Sequence, residues 1–225
     1  MFCKGLEINI DRSDNNYFIL EEDIKEMFFN MGYHADSQQL SEVDIRKIEQ
    51  QVNNVPSAFR ADAYTTIDGK VKIDIKQRKP ILRVFLQSGQ SFYMDEDGWL
   101  MPLSANFTAH VLVASGNIET EFARVKNAEK DSSGILKDLF SLAKYINENE
   151  FWKGQIIQLF VNTEEEIELI PRVGNHTIVL GDISDMNEKF EKLMIFYKKG
   201  LPKVGWNEYS QINLKFKNQV VCKKN

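Results

Sequence analysis

The chain has 225 residues, enough for one large domain or two smaller ones with cores of their own. Apolar residues make up 43% and charged residues 27%, an ordinary globular balance that argues against disorder. A net charge of −5 and a pI near 5.4 argue against nucleic-acid binding through phosphate neutralisation. No apolar run approaches the roughly 18 residues that a membrane helix needs, and no signal-peptide pattern opens the chain. Cys3 and Cys222, at opposite ends, form neither a disulfide framework nor a metal box and read as two isolated thiols.

In chain order, Leu6, Ile8 and Ile10 alternate with polar residues and predict a strand. Ile24, Met27, Phe28 and Met31 then recur at helical spacing, with Gly32 as the stop. A second helix carries Val43, Ile45, Ile48 and Val52, with Ser41 followed by Asp44 as its expected N-terminal cap, and Pro56 lies beyond its end. Ala61, Ala63 and Thr65 alternate into the Asp68-Gly69 turn, and Val71, Ile73 and Ile75 alternate back. Strand, helix, helix, strand, strand is a self-sufficient α+β unit, expected over residues 1–79.

Residues 80–225 are expected to form a strand-rich second domain with two helices. Strands are predicted on either side of Ser88-Gly89 and of Asp97-Gly98, and again at 110–118. A helix capped at Asp131-Ser132 presents Ile135, Leu136, Leu139, Phe140, Ala143 and Ile146 on one stripe. Further strands are read at "QIIQLFVN" and on both sides of Gly174-Asn175. The last helix turns Phe190, Leu193, Met194 and Tyr197 inward and stops at Gly200. Ile212, Leu214 and Phe216 then alternate with Gln211, Asn213, Lys215 and Lys217 in a terminal strand, whose pattern fades at Asn218-Gln219 and resumes at Val220.

Little in this pattern points to catalysis, and no catalytic residue is assigned. His34, His110 and His176 have no HExxH or CxxC company. The "DEDG" run (95–98) lacks the further acidic positions of a calcium loop and reads as a polar turn, as does Glu164-Glu165-Glu166. The glycines are spaced as turn-makers, with no nucleophile elbow or phosphate loop. No metal or other cofactor is expected. The lysines at 70, 72, 76 and 79 and at 215, 217, 223 and 224 read as solvated faces of strands.

Four stretches, in order, carry a resemblance: "DGKVKIDIKQRKPILRVF", "SFYMDEDGWLMPLS", "HTIVLGD" before an amphipathic helix, and "YSQINLKFKNQVVC". Together they resemble the FtsQ/DivIB family of bacterial cell-division proteins, in its Bacteroidetes branch, over almost the whole chain. The resemblance implies a POTRA domain followed by a β domain, on the periplasmic face of the inner membrane, with an N-terminal membrane helix missing from this chain. It implies a non-catalytic scaffold, monomeric alone, that binds FtsB- and FtsL-like proteins and regulates septal peptidoglycan synthesis. The POTRA domain would be free to meet other division components, and no nucleic acid is expected.

In that family the terminal strand accepts a partner strand, which assigns partner contact here to Lys215, Phe216, Lys217, Asn218, Gln219 and Val220. Phe216 is contested, because the alternation with Leu214 places it on the buried face. The family's basic contact near the turn before "IELIP" is replaced here by Glu164-Glu165-Glu166. Two other readings compete with the scaffold. One is a POTRA-containing component of a polypeptide-transport or outer-membrane assembly system; the other is a cell-wall enzyme with no visible catalytic constellation.

Overall fold

Val71, Ile73 and Ile75 are fully buried while Lys72, Asp74 and Lys76 between them are not, so one face of their strand is committed to a core. The computed structural model describes residues 3–33, 39–120, 126–130 and 134–225. The strand is β3 (Val71–Gln77), the centre of a three-stranded sheet in the order β1-β3-β2. β1 (Leu6–Ile10) runs parallel to it and β2 (Ala58–Thr65) antiparallel. Helices α1 (Glu21–Asn30) and α2 (Ile45–Asn53) cover the buried face, and Ile24, Phe28, Ile48 and Val52 pack against Val71, Ile73 and Ile75. The strand-helix-helix-strand-strand order expected from the sequence is thus the observed one. One detail is corrected: α2 is capped by Asp44, whose Oδ1 accepts the Lys47 N–H at 3.0 Å, while Ser41 sits in a preceding 3-10 turn. Asp44 lies directly before the first helical residue, where its carboxylate reaches an orphan N–H; Ser41 is three residues too early.

Gln77 ties the long connection between β1 and α1 to the sheet. It is 6% exposed; its Oε1 accepts Ile19 N–H at 2.9 Å, and its Nε2 donates to Asp11 O at 3.2 Å and Asn16 O at 2.8 Å. Residues 101–109 belong with this unit, where Phe107 packs edge-on against Phe18 at 4.9 Å.

The second unit comprises 80–100 and 110–225. Its nine-stranded sheet contains β4 (Pro80–Phe85), β5 (Ser91–Asp95), β6 (Leu100–Met101), β7 (Leu112–Gly116), β8 (Ile156–Val161), β9 (Ile167–Pro171), β10 (Thr177–Gly181), β11 (Tyr209–Asn213) and β12 (Val221–Lys224). Their order is β12-β11-β10-β9-β8-β7-β4-β5-β6, with parallel pairs at β4–β7, β7–β8 and β10–β11. Three helices complete its aromatic and aliphatic core: α3 (Ile135–Glu148), α4 (Glu150–Gln155) and α5 (Met186–Ile195). Tyr145 and Trp152 pack on Phe190, with ring centroids at 4.7 and 5.2 Å from it, and Tyr197 meets Trp152 at 5.8 Å.

Two expectations change here. α4 is an additional short helix capped by Asn149, whose Oδ1 accepts Trp152 N–H at 3.1 Å; at 6 residues it is too short for a helical period to register. The last helix does not stop at Gly200 but continues through a π turn (Phe196–Gly200) into α6 (Leu201–Val204). Gly200 is there for space, since a Cβ on it would stand 2.7 Å from the Phe196 ring. The Asp131-Ser132 cap falls outside the described residues; α3 begins after Gly134.

Replacing Gln77 with Leu leaves the Ile19 N–H and the Asp11 carbonyl without their partner, while the Asn16 carbonyl keeps the Arg12 Nη1 hydrogen bond at 2.9 Å. Each orphaned group costs on the order of 1–3 kcal/mol, less where water reaches it. Gln77→Leu should therefore lower unfolding free energy by about 2 kcal/mol or more in chemical denaturation, and far more than an exposed Gln87→Leu.

Candidate protein-docking edge

β10 pairs in parallel with β11, placing Ile178 beside Ile212 and Val179 beside Asn213. Parallel neighbours require a crossover, which α5, the π turn and α6 supply. Ile212 and Leu214 are fully buried, and Leu214 N–H donates to Val179 O at 2.9 Å. After Leu214 the backbone leaves the sheet. The terminal strand of the sequence reading is in fact a hairpin: β11, a loop over 214–220, and β12 returning antiparallel to pair Cys222 with Ile212 and Val221 with Asn213. Asn218, at φ 58°, turns the loop in the left-handed region that asparagine tolerates.

Four polar contacts fix this loop. Lys192 on α5 donates from Nζ to Phe216 O at 2.7 Å and to Leu214 O at 3.3 Å. Asn213 Oδ1 accepts Lys215 N–H at 2.9 Å. Lys215 reaches across β10 to Glu166, with Nζ–Oε1 at 2.7 Å. Its stem lies over Gly181, where an added Cβ would be 2.9 Å from Lys215 Cγ and Cδ. The Glu166 hydrogen bond raises the Lys215 pKa above its ordinary value. The acidic turn before β9 is thus neutralised in part by the chain's own lysine. At the other end of α5, Lys189 donates to Asp182 Oδ1 at 2.8 Å, and with Ser184 it holds that carboxyl at about 2.

Of the six residues singled out in the sequence, Lys215, Phe216, Lys217, Asn218 and Gln219 are exposed and Val220 is half-buried against the core. All six lie in the loop and none is on a strand. The bend after Leu214 takes Phe216 off the buried face, leaving it 45% exposed. The sequence reading missed that the outermost strand is β12. Asn225 N–H donates to Glu208 O at 3.2 Å, so by antiparallel alternation the groups of Lys223 and Val221 face β11. The groups of Cys222 and the N–H of Lys224 face outward, while Lys224 O accepts from Ser210 Oγ at 3.3 Å. The bulge between Tyr209 and Gln211 lies in β11 and leaves this alternation intact. Val221 adds 43% exposed apolar surface beside them.

Residues 79–223 match the family profile described as FtsQ/DivIB, C-terminal related, and residues 1–76 match a POTRA-like domain. The chain belongs to the FtsQ/DivIB family. This is a family of non-enzymatic division scaffolds whose members are membrane-anchored with a periplasmic part. The transport reading, which a POTRA-like half alone would allow, does not account for the match over 79–223. A search of curated proteins gives no match. Among the described residues, no helix is long and apolar enough to cross a membrane.

Asp95 and His176, both considered for chemistry, each have a structural partner. Asp95 is 1% exposed, and its Oδ1 accepts N–H from Asp97 at 3.0 Å and Trp99 at 2.7 Å, which closes the turn. Among the described residues no three His, Cys, Asp or Glu side chains cluster to hold a metal ion. Cys3 and Cys222 are free thiols. His34 lies outside the described residues, and His110 is exposed. His176 is 2% exposed, with Nε2 2.9 Å from Tyr197 Oη.

Two outcomes follow from these contacts. Lys192→Met removes the donor that holds two loop carbonyls but keeps the aliphatic stem; amide exchange across 214–217 should accelerate about tenfold or more in hydrogen-exchange measurements, with global unfolding little changed. Burial holds the His176 pKa below its ordinary 6.5, so the folded chain keeps it neutral while the unfolded chain takes up a proton. Its stabilising contribution is complete above about pH 6.5 and is lost as pH falls through the depressed folded pKa. Between pH 7.5 and 5, His176→Gln should lose less denaturation free energy than the parent chain.

Proposed function

We propose that this chain is a non-catalytic scaffold of the division machinery at the periplasmic face of the inner membrane. In this reading the edge of β12 and the adjoining loop receive an extended segment of an FtsB-like partner, with an FtsL-like protein alongside, and septal peptidoglycan synthesis is regulated through that contact. The carrying observation is that β12 is the last strand of its sheet, with outward groups at Cys222 and an outward N–H at Lys224, and that the loop leading into it holds a half-exposed Phe216. Backbone donors and acceptors demand partners, and a strand that also covers an aromatic gains apolar burial. Lys217 and Lys223 form no ion pair with any described residue and favour a segment with carboxylates. Those cations also disfavour pairing of β12 with a second β12, consistent with a monomer in the partner's absence.

Calorimetric titration with the periplasmic segment of an FtsB-like protein tests this. Phe216→Ala should weaken binding about tenfold, the scale of one moderately buried anchor. Lys217→Glu should weaken it in a salt-dependent way. Lys224→Pro removes an outward N–H while sparing the ladder to β11, and should cost a further several-fold. Undiminished binding by all three variants, each folded by circular dichroism, would exclude this edge.

A further inference from the structure

The POTRA-like unit also has two sheet edges, and they differ. The outer edge of β2 is closed by α2. Asn53 pairs with both backbone groups of Ala61, its Oδ1 accepting the N–H and its Nδ2 donating to the C=O, each at 2.9 Å. Glu49 Oε2 accepts the Ala63 N–H at 3.1 Å. Side chains on the helix therefore occupy the positions that a fourth strand would need. The outer edge of β1 has no such cover. Val71 N–H donates to Gly5 O and Asp11 N–H donates to Ile75 O, so the alternate groups at Glu7 and Asn9 also face β3. The N–H and C=O groups of Leu6, Ile8 and Ile10 face outward, and none has a hydrogen-bond partner among the described residues.

We propose that β1 is a second strand-accepting edge, which takes an extended cationic segment with an apolar residue at every other position. Leu6, Ile8 and Ile10 are half-buried on the core face of β1, so an added strand would extend that core by placing apolar residues beside them. Charge sets the other half of the pattern. Helix α1, which packs on β1, carries Glu21, Glu22, Asp23 and Glu26 against the single cation Lys25, and Glu21 alone is ion-paired with it. On the opposite face Glu7 is already met by Lys70 and Lys72, at 3.7 and 3.3 Å. The α1 side of this edge is acidic, which draws lysine or arginine and opposes a second copy of the same acidic helix. This site is independent of β12.

The probe is a synthetic peptide, acetyl-KVKIKVK-amide, added to the whole chain labelled with nitrogen-15; acetyl-EVEIEVE-amide is the control. The basic peptide should shift the amide signals of Leu6, Ile8 and Ile10 and slow their exchange, leaving Ala61 and Ala63 unchanged. It should bind at least tenfold more tightly than the acidic one. Glu22→Lys with Glu26→Lys, both exposed, should weaken binding severalfold and flatten its salt dependence. Ile8→Pro should abolish it, and the charge variants keep the test valid if that proline chain does not fold. Opening the other edge with Glu49→Ala and Asn53→Ala should add a second set of shifts at Ala61 and Ala63. Shifts confined to β2, equal binding of both peptides, no binding, or self-association through 6–10 in sedimentation would each overturn the proposal.

Discussion

An unpaired β-strand edge exposes backbone N–H and C=O groups that must find partners, and this constraint organises both units of the chain. Each sheet has one edge covered by the chain itself. In the first unit Asn53 and Glu49 on α2 occupy the edge of β2. In the second, Leu100 N–H donates to Lys126 O and Trp99 bridges Asn127, so a returning segment covers the β6 side. β1 and β12 lack comparable cover among the described residues. A protein with one open edge per sheet can take a strand in a defined place without polymerising along both sides.

The surroundings of the two open edges carry opposite charge. Lys217, Lys223 and Lys224 stand around β12, while acidic residues dominate the helix over β1. Hydrogen bonds along a strand edge are nearly blind to sequence, so discrimination has to come from side chains and field. In the loop before β12 the exposed aromatic is Phe216, and its position depends on α5. Lys192 holds the loop carbonyls while Lys189 holds Asp182 after β10, so one helix restrains both segments. Lys215 adds a tether across β10 that only a glycine at 181 leaves room for.

Much of the fold was legible because side-chain period follows directly from backbone geometry. Val71, Ile73 and Ile75 on one face, and Leu136, Leu139, Phe140, Ala143 and Ile146 on one stripe, could each be satisfied by one kind of element only. Asp68-Gly69 fixed the hairpin. Less legible were features that depend on a few atoms. The α4 turn relies on Asn149 reaching one N–H, and the continuation past Gly200 relies on the Phe196 ring filling the space of a missing Cβ.

The terminal segment shows where sequence stops and tertiary structure takes over. By itself the sequence determined that Ile212 and Leu214 are buried, that the chain ends in extended structure, and that lysines flank it. Only the packed molecule decided the fate of Phe216. Alternation would have carried it into the core, but the Lys192 and Asn213 contacts turn the backbone out after Leu214. The sealed edge of β2 was equally invisible, because Asn53 and Ala61 are neighbours only once α2 lies on the sheet. Periodicity is written into a strand residue by residue; a bend or an edge cap is set by groups distant in sequence that meet through folding.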